Sequence, residues 1–164
     1  MADNRYTTGR AWRVFVPFVA VIVLLGPACS KSSSSSSSLI TVSVQKFRYQ
    51  GMPATLTSGL HQFLFQNRES LAITHEMIPI ALPAGKAAQD VIDAAKTGGA
   101  DSEGDWLHIG GDFGAADTGA GVVETLFLPP GTYAIACWQI GNLGGGEGDP
   151  HAARGMVFQF TVTS

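Results

Sequence analysis

Four side chains that can bind a soft metal ion stand out in this chain of 164 residues. Cys137, His151 and Met156 lie on one stretch between two strand-like runs, and His75 lies far upstream near the start of another apolar run. Two imidazoles, one thiolate and one weak axial thioether form a donor set that suits both Cu(I) and Cu(II). These residue types therefore indicate a site for one copper ion that passes a single electron with little rearrangement.

Several other chemistries find no support in the sequence. Cys137 is the single cysteine beyond the N-terminal region, which is too few for a dinuclear copper–thiolate centre, and no His-x-His pair occurs. The chain also has no Ser/His/Asp arrangement, phosphate-binding loop or Cys-x-x-Cys motif. We therefore expect a binding or electron-transfer protein and not an enzyme.

Individual candidates also have structural interpretations. Met156 could fill the core instead of binding metal, because Met packs well into irregular gaps. We interpret His61 as structural and His108 as solvated. Glu76 and Asp149 flank candidate ligands, and the sequence leaves open whether they support the ligands or are ordinary surface acids.

Short apolar runs predict the elements that position these residues. Six or more such runs, separated by turn residues, are typical of a Greek-key β-sandwich, and one segment has helical periodicity. The change of parity within the first run predicts a β-bulge near Gln45-Lys46. We therefore predict an all-β sandwich with one short helical insertion at 85–97 and strands within 40–49, 60–66, 73–82, 106–109, 122–128, 132–138 and 155–162.

The order of these motifs resembles the cupredoxins. The run from Leu126 to Cys137, then Pro150-His151, Met156 and a final Phe-x-Phe-x-Val strand, carries the resemblance, as does Phe65-Gln-Asn67 followed by Thr74-His75-Glu76. The resemblance covers residues 41–163. Within this range the chain is similar to exported bacterial cupredoxin-like proteins that have a helical insertion after the first His. The resemblance implies one copper ion held by a plastocyanin-like ligand set of His75, Cys137, His151 and axial Met156.

One departure from the cupredoxin pattern lies between two of the ligands. Thirteen residues separate Cys137 from His151, where the well-known electron carriers have only a few. Two doublings of loop length cost roughly 1.2 kcal/mol in closure entropy. Metal binding contributes on the order of 10 kcal/mol, so the longer loop does not preclude a site.

Residues 1–28 have the order of an export signal. Basic residues precede the apolar run 14–25, and small residues Gly26-Pro27-Ala28 precede Cys29. The apolar run is shorter than the roughly 20 residues that span a bilayer. Cys29 resembles the lipid-bearing cysteine of bacterial lipoproteins, although Gly26 stands where that pattern has Leu, and plain cleavage after Ala28 stays open.

The residues after Cys29 suggest a tethered domain at a membrane surface. The serine-rich segment 29–38 cannot build a core and is typical of a flexible tether, which leaves 39–164 as one cupredoxin-like domain. Seven Lys and Arg against twelve Asp and Glu follow Cys29, and this acidic balance argues against nucleic acid as a partner. If Cys29 carries lipid, Cys137 has no disulfide partner in an oxidising compartment, which favours a metal-bound thiolate over an inert buried thiol.

Two function classes remain open from the sequence. The first is a mononuclear copper protein for electron transfer or copper handling, anchored by lipid at the periplasmic or extracellular face of the membrane, with a redox partner protein. The second is a metal-free cupredoxin-like domain that serves as a binding or assembly module on a lipoprotein. Fold alone does not separate these two classes.

Overall fold

The computed structural model describes residues 39–110, 116–141 and 148–164 of the chain. The predicted signal segment 1–28, the lipidation site Cys29 and the tether 29–38 lie outside the described residues, so these assignments stay predictions. Among the described residues, no helix has the length and apolar character needed to cross a membrane.

The strands are β1 Ile40–Gln45, β2 Arg48–Gln50, β3 Thr55–Thr57, β4 Gly59–Asn67, β5 Ile78–Ala81, β6 Leu107–His108, β7 Gly121–Leu128, β8 Gly131–Ala136 and β9 Val157–Thr163.

Two mixed sheets build the domain. The first has the order β2-β1-β4-β7, and the second has the order β3-β9-β8-β5-β6. The pairs β1–β4 and β3–β9 are parallel, whereas the other pairs are antiparallel. Apolar side chains of both sheets share one buried cluster, which confirms the predicted all-β fold of two sheets.

Strand β8 shows how the period of two places the candidate thiolate. Tyr133 and Ile135 point into the cluster between the sheets, and Cys137, one residue past the strand, follows the same parity into that cluster. Ala134 and Ala136 point to the opposite face, where they pack in a second cluster with residues of the helix. Tyr133, Ile135 and Cys137 therefore share one buried face, and Cys137 lies at the end of the core.

In the part of the chain that the structure describes, one α-helix, α1, covers the outer face of the second sheet. It spans Ala88–Gly98, and Val91 and Ala95 are its buried residues. The helical insertion predicted at 85–97 is thus confirmed with shifted bounds. The chain continues as a 3-10 helix over Gly99–Asp105, and a second 3-10 helix spans His151–Arg154.

The predicted bulge near Gln45-Lys46 is wrong, because the chain makes a hairpin there. Gln45 pairs directly with Arg48, and the two intervening residues, Lys46 and Phe47, have φ of 53° and 57°. Positive φ at both central positions is the geometry of a type I′ turn, whose twist matches the flanking strands. Such turns usually contain Asn or Gly, so the pair Lys-Phe gives no sequence signal, and the change of parity reflects the turn.

Candidate metal centre

The candidate ligands come from loops and element ends at one end of the sandwich. His75 lies between β4 and β5, Cys137 directly follows β8, and His151 begins the second 3-10 helix. The backbone of His75 forms a two-way bridge with Ala116, with N···O distances of 3.2 and 2.7 Å. The side-chain amide of Asn67, at the end of β4, donates to the carbonyls of Ile73 and Ala116 at 2.6 and 2.7 Å. This buried amide ties the His75 loop to the segment opposite it.

Three donor atoms converge in the interior. Cys137 Sγ lies 3.8 Å from His75 Nδ1 and 3.3 Å from His151 Nδ1, and the two Nδ1 atoms are 3.0 Å apart. Donors bound to one ion in a trigonal plane, with metal–N and metal–S bonds of about 2.0 and 2.3 Å, are separated by about 3.5–3.7 Å. The three residues are at most 1 % exposed. The three distances therefore lie within about 0.5 Å of the spacing in a trigonal metal site. Among the described residues, His75, Cys137 and His151 are the group whose donor atoms are close enough to hold one metal ion.

The outer nitrogens of both imidazoles fix their orientation. His151 Nε2 is 2.7 Å from the carbonyl oxygen of Gly141, which can only accept a hydrogen bond. His75 Nε2 lies 3.3 Å from a carboxylate oxygen of Glu69. Protons on the two Nε2 atoms leave the lone pairs of both Nδ1 atoms directed at the thiol, as a metal ligand requires. The Gly141 carbonyl therefore holds His151 in the tautomer that can bind a metal, and the negative charge of Glu69 favours the same tautomer of His75.

Burial keeps both imidazoles neutral. Desolvation, followed by the proximity of His151, lowers the pKa of His75 to about 4, and the nearby Glu69 only partly opposes this shift. Desolvation also lowers the pKa of His151. A neutral imidazole is the metal-binding form, so at neutral pH both donors are ready to bind without losing a proton.

Glu69 and Phe47 are supporting residues that no sequence pattern indicates. The amide of Phe47 donates to Glu69 Oε1 at 2.9 Å, which holds the carboxylate beside His75. The Phe47 ring packs edge-on against both imidazoles, with centroid distances of 5.2 Å to His75 and 4.8 Å to His151. The type I′ turn thus contacts both histidines through the Phe47 ring. Its Phe47 amide also holds Glu69, which lies beside His75. A Glu six residues before a ligand and a Phe in a turn give no recognisable motif.

Glu76 supports the Cys137 thiol and is not an ordinary surface acid, a question that the sequence left open. Its amide points at Cys137 Sγ at 3.5 Å, and its carboxylate accepts hydrogen bonds from the Trp138 amide at 2.6 Å and the Gln139 side chain at 2.8 Å. The Tyr49 hydroxyl donates to the Glu76 carbonyl at 2.5 Å. Glu76 therefore fastens the His75 loop to the residues after Cys137. The other flanking acid, Asp149, is exposed.

The environment of Cys137 makes the free thiolate costly. Desolvation, and then the negative charge of Glu76, raises the pKa of this thiol well above its usual range. A buried thiol of this kind is deprotonated by a bound cation, whose charge reverses the local preference. The donor set thus fits a metal site in which binding releases the thiol proton.

Met156 lies in the same apolar cluster as Cys137 and is fully buried. Its amide donates to the His151 carbonyl at 3.0 Å, which places it directly before β9 and beside the second 3-10 helix. Its axial role stays a prediction.

The two remaining histidines lie outside the metal-ligand cluster. His61 Nε2 is 2.7 Å from the Thr57 carbonyl, and His108 is 3.7 Å from Glu103.

Comparisons with known proteins agree with the fold. No protein-family model and no curated protein matches the chain. Among solved structures, auracyanin B matches with a TM-score of 0.53 and 20 % identity over 77 % of this chain and 88 % of its own. Auracyanin from Roseiflexus castenholzii matches with a TM-score of 0.47 and 19 % identity over 78 % and 98 %. An azurin from Methylomonas sp. strain J matches with a TM-score of 0.47 and 14 % identity over 76 % and 95 %. The likeness to auracyanin B and the two-sheet topology show that the domain has the cupredoxin fold predicted from the sequence.

Proposed function

We propose that this chain binds one copper ion through His75, Cys137 and His151, with Met156 as a weak axial donor, and transfers single electrons. The observation that carries the proposal is the convergence of two imidazole nitrogens and one thiol within 3.0–3.8 Å in the interior. When bound, copper would supply the couple between Cu(I) and Cu(II), which this mixture of soft thiolate and imidazole donors accommodates.

The surrounding residues hold the donors in one arrangement. Gly141 and Glu69 fix the two imidazoles from outside. The Glu76 amide is directed at the thiol sulfur, where it would stabilise negative charge. Because these contacts do not depend on the charge at the centre, the donors need little movement during a one-electron change, and a small rearrangement favours fast transfer.

Burial favours electron transfer over the alternatives that the sequence left open. Delivery of copper to another protein requires a ligand that the recipient can reach, whereas all three donors are almost fully inaccessible. A metal-free binding module would gain nothing from two imidazoles and a thiol packed together, because buried polar groups cost stability unless they are satisfied. The supporting contacts are instead arranged around a set of metal donors.

The place of action is part of the proposal. Residues 1–28 have the composition of an export signal, and Cys29 precedes a serine-rich tether. We therefore place the domain at the extracytoplasmic face of a membrane, anchored by lipid on Cys29, where a redox partner protein would exchange electrons with it. Lipid chains contribute about 0.8 kcal/mol per buried CH₂, so several chains on one cysteine would hold the protein firmly.

Titration with Cu(II) tests the proposed function. We expect an intense visible absorption from thiolate-to-copper charge transfer that saturates at one copper per chain. Ascorbate should bleach the band, and ferricyanide should restore it. A His61→Gln variant serves as the control, because that imidazole lies outside the cluster and its loss should leave the band unchanged. Binding without a thiolate band would contradict the proposal.

A further inference from the structure

One aromatic ring packs against both histidine ligands of the proposed copper site. His75 and His151 are 0 % and 1 % exposed, so neither imidazole meets solvent directly. The Phe47 ring contacts both imidazoles edge-on, at interplanar angles of 89° and 87°, and is itself partly exposed. Phe47 therefore connects both histidine ligands to the outside of the domain through a single aromatic ring.

Cationic residues lie on and beside the turn that carries this ring. Lys46 and Arg48 flank Phe47 in the chain, and the Arg154 guanidinium carbon lies 5.7 Å from the ring centroid. Arg68 lies beside the hairpin, because its amide donates to the carbonyl of Val44 in β1 at 2.9 Å. All four cationic residues are exposed. We call Phe47 and these four residues the Phe47 face.

This grouping is unusual for an acidic chain. Four of the six Lys and Arg residues in the part of the chain that the structure describes belong to the Phe47 face. The other two, Lys86 and Lys96, lie on or next to α1 and face Asp90 and Asp93 at 2.9 and 3.5 Å.

The carboxylate that accepts the Phe47 amide does not face outwards. The Glu69 carboxylate accepts the Phe47 amide and lies beside His75, and its side chain is only 7 % exposed. Positive charge on the face is thus presented to solvent, whereas this negative charge is directed at the site. A cationic field around an apolar contact point attracts negatively charged partners and raises their rate of encounter.

We propose that the Phe47 face is the docking surface for an acidic redox protein, and that electrons enter and leave through the Phe47 ring. The inference rests on the proposed copper function and adds the route and the charge of the partner. One electron passes between the reduced and the oxidised centre, and no atom or proton is exchanged. The four cations orient the partner, and the Phe47 ring supplies the close contact.

The surface can be tested without copper. Hexacyanochromate(III) is a redox-inert paramagnetic anion that broadens the amide NMR signals of the residues it approaches. In the copper-free protein we expect broadening at Lys46, Phe47, Arg48 and Arg154, and none along α1. Broadening confined to other surfaces would overturn the proposal, whether or not the chain binds copper.

The route is tested by the oxidation kinetics of the copper-loaded protein. Hexacyanoferrate(III) serves as an anionic oxidant and tris(phenanthroline)cobalt(III) as a cationic one. In the Lys46→Gln/Arg48→Gln/Arg154→Gln variant, we expect the rate constant with the anion to fall about tenfold at low salt, since steering of this kind changes rates by ten- to a thousandfold. The rate with the cation should not fall. Lys86→Gln/Lys96→Gln is the matched control and should change neither rate.

The outcomes separate the two proposals. Equal rates with the anion in the triple variant and the helix control would overturn the docking surface and leave the copper site standing. A chain that shows anion contacts at the Phe47 face in NMR but no thiolate band with Cu(II) would refute the copper function instead. Phe47→Leu should slow both oxidants when its absorption spectrum is unchanged, and unchanged rates in that variant would refute the aromatic route.

Discussion

Replacement of Glu69 by Gln should raise the reduction potential of the copper-loaded protein. The Glu69 carboxylate lies 3.3 Å from the outer nitrogen of His75, and its negative charge favours the more positive Cu(II) state. Gln has the same shape and keeps an oxygen that can accept the Phe47 amide. The substitution therefore removes the charge and preserves most of the contacts.

The size of the effect follows from distance and burial. A charge beyond the outer nitrogen of a ligand imidazole lies roughly 7 Å from the metal, and at an effective dielectric constant of about 20–40 it contributes about 1–2 kcal/mol. For a one-electron couple this corresponds to about 50–100 mV. The side chain is 7 % exposed, so screening by salt should be weak.

Potentials measured by spectroelectrochemical titration test this reasoning. Asp93→Asn is the control, because it removes one negative charge from a side chain on α1 that is 61 % exposed. Solvent screening should limit its effect to on the order of 10 mV. Equal shifts in Glu69→Gln and Asp93→Asn would refute the proposed role of the Glu69 charge. A shift in Glu69→Ala with none in Glu69→Gln would indicate that Glu69 acts through contacts alone.

Three further predictions concern the ligands and the anchor. Cys137→Ser should abolish the visible charge-transfer band, whereas Met156→Leu should keep it and raise the potential because the axial bond is weak; identical spectra and potentials would contradict this division of roles. Burial lowers the pKa of His75 to about 4 and also lowers that of His151, so the unfolded state binds more protons below pH 6.5. The urea midpoint of the copper-free protein should therefore be highest above pH 6.5 and fall as the pH drops towards 4. Mass spectrometry of the purified protein should find acylated Cys29 at the N-terminus, and an unmodified Cys29 would rule out the anchor.

The period of two predicted the position of the thiol well. Tyr133 and Ile135 alternate along β8 and lie on its buried face. Cys137 is the next residue in this alternation, which places it at the end of the core. His151 was recognisable because it lies between that strand and the last one. His75 was identified by its place near the start of an apolar run and by the resemblance of the segments around Asn67 and His75 to the cupredoxins. Its convergence on Cys137 depends on the Asn67 amide and on the bridge to Ala116, which are tertiary contacts.

The supporting residues could not be predicted because no local pattern encodes them. Lys46 and Phe47 adopt positive φ without Gly or Asn, so the hairpin was interpreted as a bulge in a longer strand. Glu69 lies in a polar segment after β4, and its role depends on the Phe47 amide, which the pairing of β1 with β4 brings beside it. Glu76 was visible as a neighbour of His75, yet only the structure shows its carboxylate bound to the Trp138 amide.

The hairpin turn explains why the site is arranged as it is. A non-glycine residue with φ in the left-handed region costs roughly 1–2 kcal/mol, and this turn contains two, Lys46 and Phe47. Such strain persists where surrounding contacts determine the conformation. Here the conformation directs the Phe47 amide to Glu69 and its ring to both imidazoles, while Lys46 stays exposed. A relaxed Asn-Gly turn would keep the hairpin but lose the ring, so the strained pair is best understood as serving the site and not the stability of the strands.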